Sequence, residues 1–414
     1  MYCTYLVIWR VDSFSKRALL LSKRSRSSGK SPQMMQRRDS LMPTRPFAWL
    51  RHPLQYAYRS FLYRHPVRLA DDGLLRRMAA RTTVPTDGPL SAEEKSIVAA
   101  IRRKTAEHNR NNVTRTAAYL AFFERHREIH WAFLAHLVSR NGGWNMTDLR
   151  GGLLPFLLPE QIIAPLFLFL ERANALIFHD AYPQLLLYEE SKRRETPLFH
   201  LLPALAVSSF MKPMWEHFWE TGNAALLTVA LIINEQQYIQ LRVIEHPFFR
   251  TRVLSSWPFI VEQWLGFNDV LIPYAKGRRV ALAGTTVRDF ADVHHRIHIG
   301  KTLYSLLLFD ARLFRGACRF ARCVPHSGSR ADFWPQSFAE TPDGRRFYSP
   351  RLEEAWPDLA HPFHDHRDWF TDEAIMQTLE TLPLPASGDM TSRYERHLAM
   401  MKTAAIAAAK STSS

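Results

Sequence analysis

An all-α fold is what this 414-residue sequence predicts: a single multi-helix domain with a long irregular segment near the C-terminus and little or no strand. Three observations carry the expectation. Apolar residues recur at offsets of three, four and seven through the central stretch, at Leu120, Phe123, Trp131, Leu134 and Val138, with Phe122, Phe133 and Leu137 widening the stripe. Helix start and stop signals punctuate the chain before residue 320, and the connections between them are short. The alternation a half-buried strand needs is confined to residues 277–284, where Val280 and Leu282 alternate beside turn-forming glycines.

Taken in order, residues 1–45 read as a basic, disordered or over-extended N-terminus. A basic aromatic arm and linker follow over 46–90. Residues 1–90 hold 17 Lys and Arg against 5 Asp and Glu, a surplus of 12, whereas the rest of the chain has a surplus of 3. A nucleic-acid or anionic-membrane partner is therefore argued only for this arm, where Phe47, Trp49, Tyr56, Tyr58, Phe61 and Tyr63 stand among arginines over 46–81. A short helical arm packed on the body accounts for the same pattern. Residues 84–89 read as a linker. The body spans 91–382, and 383–414 form a linker and terminal helix.

Ser91-Ala-Glu-Glu94 is a capping box and opens a helix to about His108, with Ile97, Val98 and Ile101 inward. A helix of about six turns is expected from near Ala117 to near Arg140, stopped by Asn141-Gly142-Gly143, residues that tolerate a left-handed cap. Residues 151–182 are the most hydrophobic part of the chain. Pro155, Pro159, Glu160, Gln161 and Pro165 interrupt the run, so no transmembrane segment is expected. A core helix over 162–178, stopped by Asp180 to Pro183, and a short helix over 184–192 are expected next. Helices over 198–219 (broken by Pro203 and Pro213), 224–243 behind an Asn223 cap, and 248–264 follow. A helix from Thr286 to about Phe314 precedes an ordered, winding loop over 324–370, a helix over 371–382, and a last helix over 389–410.

The run HWAFLAHLVSRNGGWNMTDL (His130 to Leu149), with NNVTRTAAY upstream, resembles a bacterial family of unknown function, the YppC-like family, and the resemblance extends over about 91–382. It implies one body and a bacterial origin, and it assigns no activity, cofactor or catalytic residue.

Chemistry is therefore read from the residues. No Gly-rich phosphate loop, HExxH, ExxH or GxSxG motif is present. Polar side chains crowd both ends of the central apolar helix. Arg115, His130, Arg140, Asn141, Asn145 and Asp148 form the candidate ligand site, with Arg140 expected to pair with Asp148. The cluster is either a hydrogen-bonded buttress or a site for a polar or anionic small molecule, with His130 as its candidate acid–base group. His361, His364 and His366 fall within six residues of a loop and are candidate ligands for a transition metal in a metal-dependent enzyme. His294 and His298 lie one turn apart and read as a solvated helix face. A peripheral membrane or scaffold protein is the remaining alternative. Three cysteines (Cys3, Cys318, Cys323) make no disulfide framework, so a cytoplasmic location, or one peripheral to the membrane, is expected.

Overall fold

The computed structural model describes residues 66–82, 89–254, 269–287, 289–384 and 388–412, with side chains to residue 403. The expectations for 1–45, for most of the arm over 46–81, for the 84–89 linker and for the end of the 248–264 helix lie outside the described residues. The described elements belong to one compact unit and are predominantly helical.

The first helix, α1 (Asp72–Thr82), packs on the later helix α6. The capping box forms as read. Ser91 caps the amide of Glu94, Glu94 returns to the Ser91 amide, and α2 (Ala92–His108) buries Ile97, Val98 and Ile101. The long central helix is instead two. α3 (Asn112–Arg125) opens on a reciprocal Asn111–Thr114 cap, and α4 (His130–Asp148) follows after a break at His126–Ile129. The break lets the chain fold back into a helical hairpin in which the Phe123 and Phe133 rings stack at 4.7 Å. Its turn is anchored to the next helix, because Glu128 accepts from Tyr188 and Lys192. Periodicity runs through a hairpin of this kind unbroken, since both helices turn an apolar face to the same core.

Asn141-Gly142-Gly143 does not end α4. A Cβ on Gly143 would lie 2.4 Å from Asn112 Oδ1 and from His326 Nε2, so this glycine serves close approach and not a left-handed cap. Nor does α5 stop at Asp180. It runs from Glu160 to Arg194 through Pro165 and Pro183 and ends on a left-handed Glu195. Asp180, read as a breaker, is buried and accepts from Gln184 and Asn234 within the core. By length and composition α5 is the one described helix able to cross a membrane, and half of its most apolar window is buried in this fold.

The 198–219 region forms two short 3-10 turns and then α6 (Met211–Thr221), which ends at left-handed Gly222. Asn223 caps α7 (Ala224–Ile239), as expected. α7 is apolar nearly all round because α4, α5, α6 and the later helix α8 enclose it. A wider π turn continues it over Gln240–Ile244.

The one expected hairpin is present and longer than its sequence signal. Asp269–Lys276 and Arg279–Thr286 pair antiparallel about Gly277, whose φ is +66°. Because the second strand reaches Thr286, the next helix, α8 (Val293–Phe309), starts on an Asp292 cap and not at Thr286. It stops at Asp310, which caps α9 (Ala311–Cys323). The winding segment after it contains a 3-10 turn at Arg330–Asp332, a small parallel pair of Phe338–Ala339 with Phe347–Tyr348, and one helical turn at Leu352–Ala355. The helix expected over 371–382 is a 3-10 helix (Glu373–Leu379) followed by Thr381–Leu382, which pairs with Val67–Arg68. The terminal helix, α10, covers Thr391–Thr412.

Candidate functional site

Arg140 and Asp148 do not pair. On a continuous helix they lie about 12 Å apart along the axis, so only the turn that the sequence suggested would have joined them. The winding segment supplies their partners instead. Arg140 donates to the carbonyls of Val324 (2.8 Å) and Pro325 (3.3 Å), faces Asp332 at 3.6 Å, and lies over the rings of Phe320 and Trp144. Burial lowers its pKa to about 10, against the pull of Asp332. Asp148 accepts from Arg330 at 2.7 Å, and Arg330 also donates to Asn145. Asn141 spans the first strand of the hairpin, donating to the Asp269 carbonyl and accepting from the Leu271 amide. Arg115 pairs with Glu171 of α5 and donates to Asn109. His130 contacts the Tyr304 hydroxyl at 3.0 Å. All six residues thus have protein partners. Arg330, Asp332 and Glu171 escaped the sequence reading because nothing local ties them to residues up to 192 positions earlier.

The late-loop histidines do not come together. The segment runs with alternate residues facing in: His361, Phe363 and Asp365 are half-buried, while His364 and His366 are exposed. His361 Nε2 lies 3.5 Å from Glu171 Oε1, and His366 meets the edge of Phe363. Among the described residues no group of three or more His, Cys, Asp or Glu is placed to hold a metal. The extended backbone is the reason, since neighbours with period two point to opposite sides. His294 and His298 are exposed on α8, as a solvated face requires.

A cavity of about 170 Å³ lies elsewhere, between α4, α5, α7 and α8, and none of the six residues above lines it. Its walls are mainly apolar: Leu134 and Val138 from α4, Ile177 from α5, Val270 from the hairpin, and Ile299 and Leu303 from α8. Phe290, 37 % exposed, stands at the rim. Polar groups enter from Ser139, Asn174, Gln236, Arg296 and Glu235. Arg296 of α8 is fully engaged by Gln236, Gln240 and the carbonyls of Phe290 and Ala291. Opposite in character is Glu235 of α7, which accepts from Trp131 Nε1 and Gln236 Nε2, each at 3.1 Å. Tyr119 also belongs to the lining, and its hydroxyl is buried without a hydrogen-bond partner.

Glu235 retains some accessible surface because it borders the cavity, yet its carboxyl is surrounded by protein. Burial raises its pKa to about 8, Asp180 adds to the rise, and the bonds from Gln236 and Trp131 oppose it. Burial raises Asp180 itself to about 7. The sequence reading missed Glu235, although the Asn234-Glu235-Gln236-Gln237 run on an otherwise apolar helix is a signal that could have found it.

These shifts have a sign for stability. A carboxyl whose pKa is raised by folding keeps its proton in the folded chain while the unfolded chain loses it, so stability falls with pH from about 4.5 to about 8, by up to about 1.4 kcal/mol per pH unit for each group. Buried histidines act oppositely at lower pH: His136, lowered by burial to about 3, and His179, to about 4, favour folding as pH rises toward 6.5. Lys301, lowered by burial to about 8, acts mainly above that value. The carboxyl effect is therefore clearest between pH 6.5 and 8. There the unfolding free energy of the natural chain is expected to fall by about 1–2 kcal/mol more than that of Glu235→Gln in urea titrations. Parallel curves would show that Glu235 ionises normally.

The model of a family described as "Protein of unknown function (DUF2515)" matches residues 107–403. The uncharacterized protein YppC of Bacillus subtilis (strain 168) is 42% identical over 301 residues, covering 72% of this chain and 91% of YppC. No solved structure matches. The family resemblance read from the His130–Leu149 run therefore holds, and the chain belongs to the DUF2515 family.

Proposed function

We propose that this DUF2515 protein binds a small molecule in the cavity bounded by α4, α5, α7 and α8. The ligand is compact and largely apolar, and Glu235 and Tyr119 hold its polar end. One observation carries the reading: apolar walls meet the half-buried Glu235 carboxyl beside Tyr119, whose buried hydroxyl has no partner. Buried polar groups are normally paired, and an apolar pocket with a few convergent polar groups is the usual form of a ligand site. The volume of about 170 Å³ suits a single ring, since an apolar cavity of about 150 Å³ takes up benzene. The candidate residues Arg140, Asn141, Asn145 and Asp148 fit a supporting role in this reading, tying α4 to the hairpin and the winding segment. The unpaired thiols of Cys318 and Cys323 support a cytoplasmic location.

Toluene tests the reading. At a concentration 100 times its Kd it is expected to stabilise the natural chain by about 2.7 kcal/mol in thermal or urea unfolding. Ala135→Phe, which adds a ring at the cavity wall, is expected to keep the helical circular-dichroism spectrum and lose this response. Equal stabilisation of both chains would place toluene elsewhere and remove the proposal.

A further inference from the structure

We propose that the natural ligand of this cavity carries a protonated amine, with the Glu235 carboxylate as its counter-ion and the Tyr119–Trp131 corner as its aromatic wall; this rests on the cavity being the binding site. Three features select a cation. Glu235 has acceptor capacity left after Trp131 and Gln236, and no ion pair engages it among the described residues. A carboxylate surrounded by protein without a counter-ion is costly, and an ammonium is the group that relieves the cost. Beside it the Tyr119 and Trp131 rings meet edge to face, with centroids 5.4 Å apart at 89°. An aromatic face favours a cation lying over it, and the unpartnered Tyr119 oxygen is an acceptor for one of its N–H groups. Third, the cavity offers an anion no free donor of positive charge. The guanidinium of Arg296 spends its N–H groups on Gln236, Gln240, Phe290 and Ala291.

Around Glu235 stand Tyr119 from α3, Asp180 from α5 and Arg296 from α8. Asp180 disfavours ionisation of Glu235 in the empty site, and an entering ammonium reverses the balance. The Glu235 proton then leaves to solvent as the cation takes its place, so charge is conserved within the cavity.

The test measures Kd for benzylamine, toluene and benzoate on the full chain at pH 7 by calorimetry. Benzylamine is expected to bind at least tenfold more tightly than benzoate. Glu235→Gln, which retains an acceptor for Trp131, is expected to weaken benzylamine at least tenfold while changing toluene less than threefold. Tyr119→Phe keeps the ring and is expected to weaken benzylamine alone, a second reading should Glu235→Gln fail to fold. Toluene binding without benzylamine binding, or benzoate binding as tightly as benzylamine, overturns the cationic assignment and leaves the cavity reading intact. Failure of both toluene and benzylamine overturns the cavity reading itself.

Discussion

Asp332→Ala is expected to cost about 3–5 kcal/mol of unfolding free energy, the range found when one member of a buried ion pair is removed. The Asp332 carboxylate gathers groups from α4 and from the start of the winding segment. It accepts from the Ser327 amide (3.0 Å) and hydroxyl (2.6 Å) and from Trp144 Nε1 (3.3 Å). It also contacts His326 Nδ1 at 3.3 Å and faces Arg140 at 3.6 Å. Burial pushes its pKa up, but His326, Arg140 and Ser327 outweigh burial and hold it below the usual carboxylate range. Alanine would leave the Arg140 guanidinium buried with only two carbonyls, and the Trp144 N–H with nothing. A double-mutant cycle separates the pair from the rest of the network. If Arg140→Met relieves part of the loss in the Asp332→Ala background, a coupling of about 0.5–3 kcal/mol follows. A single-mutant loss below 1 kcal/mol in urea would mean that the winding segment does not anchor α4.

Gly143→Ala is expected to destabilise by about 1–3 kcal/mol, the usual range for overpacking a tight core, although propensity alone predicts a gain of about 1 kcal/mol from removing a mid-helix glycine. The new methyl would meet Asn112 Oδ1 and His326 Nε2, both at 2.4 Å, and those atoms are 2.8 Å from each other in a hydrogen bond. Neither has room to retreat, because Asn112 also donates to the Ser139 carbonyl and His326 is held by Asp332. Gly142→Ala is the control. Its methyl would meet the Asn174 amide first, at 3.0 Å, a contact that a shift of a few tenths of an ångström relieves. That variant is expected to remain within about 1 kcal/mol of the natural chain. Stabilisation by Gly143→Ala would show that the glycine pair is a helix defect and not a packing device.

Where the sequence was legible, the deciding interactions were local. Ser91 and Glu94 lie three residues apart, so the box forms wherever the rest of the chain goes. Asn223 caps α7 through the amide of Leu226 for the same reason, and Gly277 turns the hairpin with its own φ. The helical character follows from apolar spacing, which reports a buried face without saying what covers it. The misread stretches were those where a local signal competed with a distant partner. Asn141-Gly142-Gly143 has the composition of a cap, but the approach of Asn112 and His326 uses the glycines inside a helix. Asp180 and Pro183 have the composition of a stop, but Asn234 and Gln184 both donate to Asp180 Oδ2 from within the core and the helix continues.

The candidate site divides along the same line. By itself the sequence determined that polar residues crowd the ends of α4, that the chain is mostly helical, and that it belongs with a family of unknown function. Only the tertiary structure decided that Arg140 answers to Asp332 and not to Asp148, and that three late-loop imidazoles splay. It alone joined Glu235 to Trp131 across 104 residues at the edge of a cavity. Spacing along a chain sets which side chains share a helix face, but the charge and solvent each one meets are set by elements folded against that face from far away in sequence.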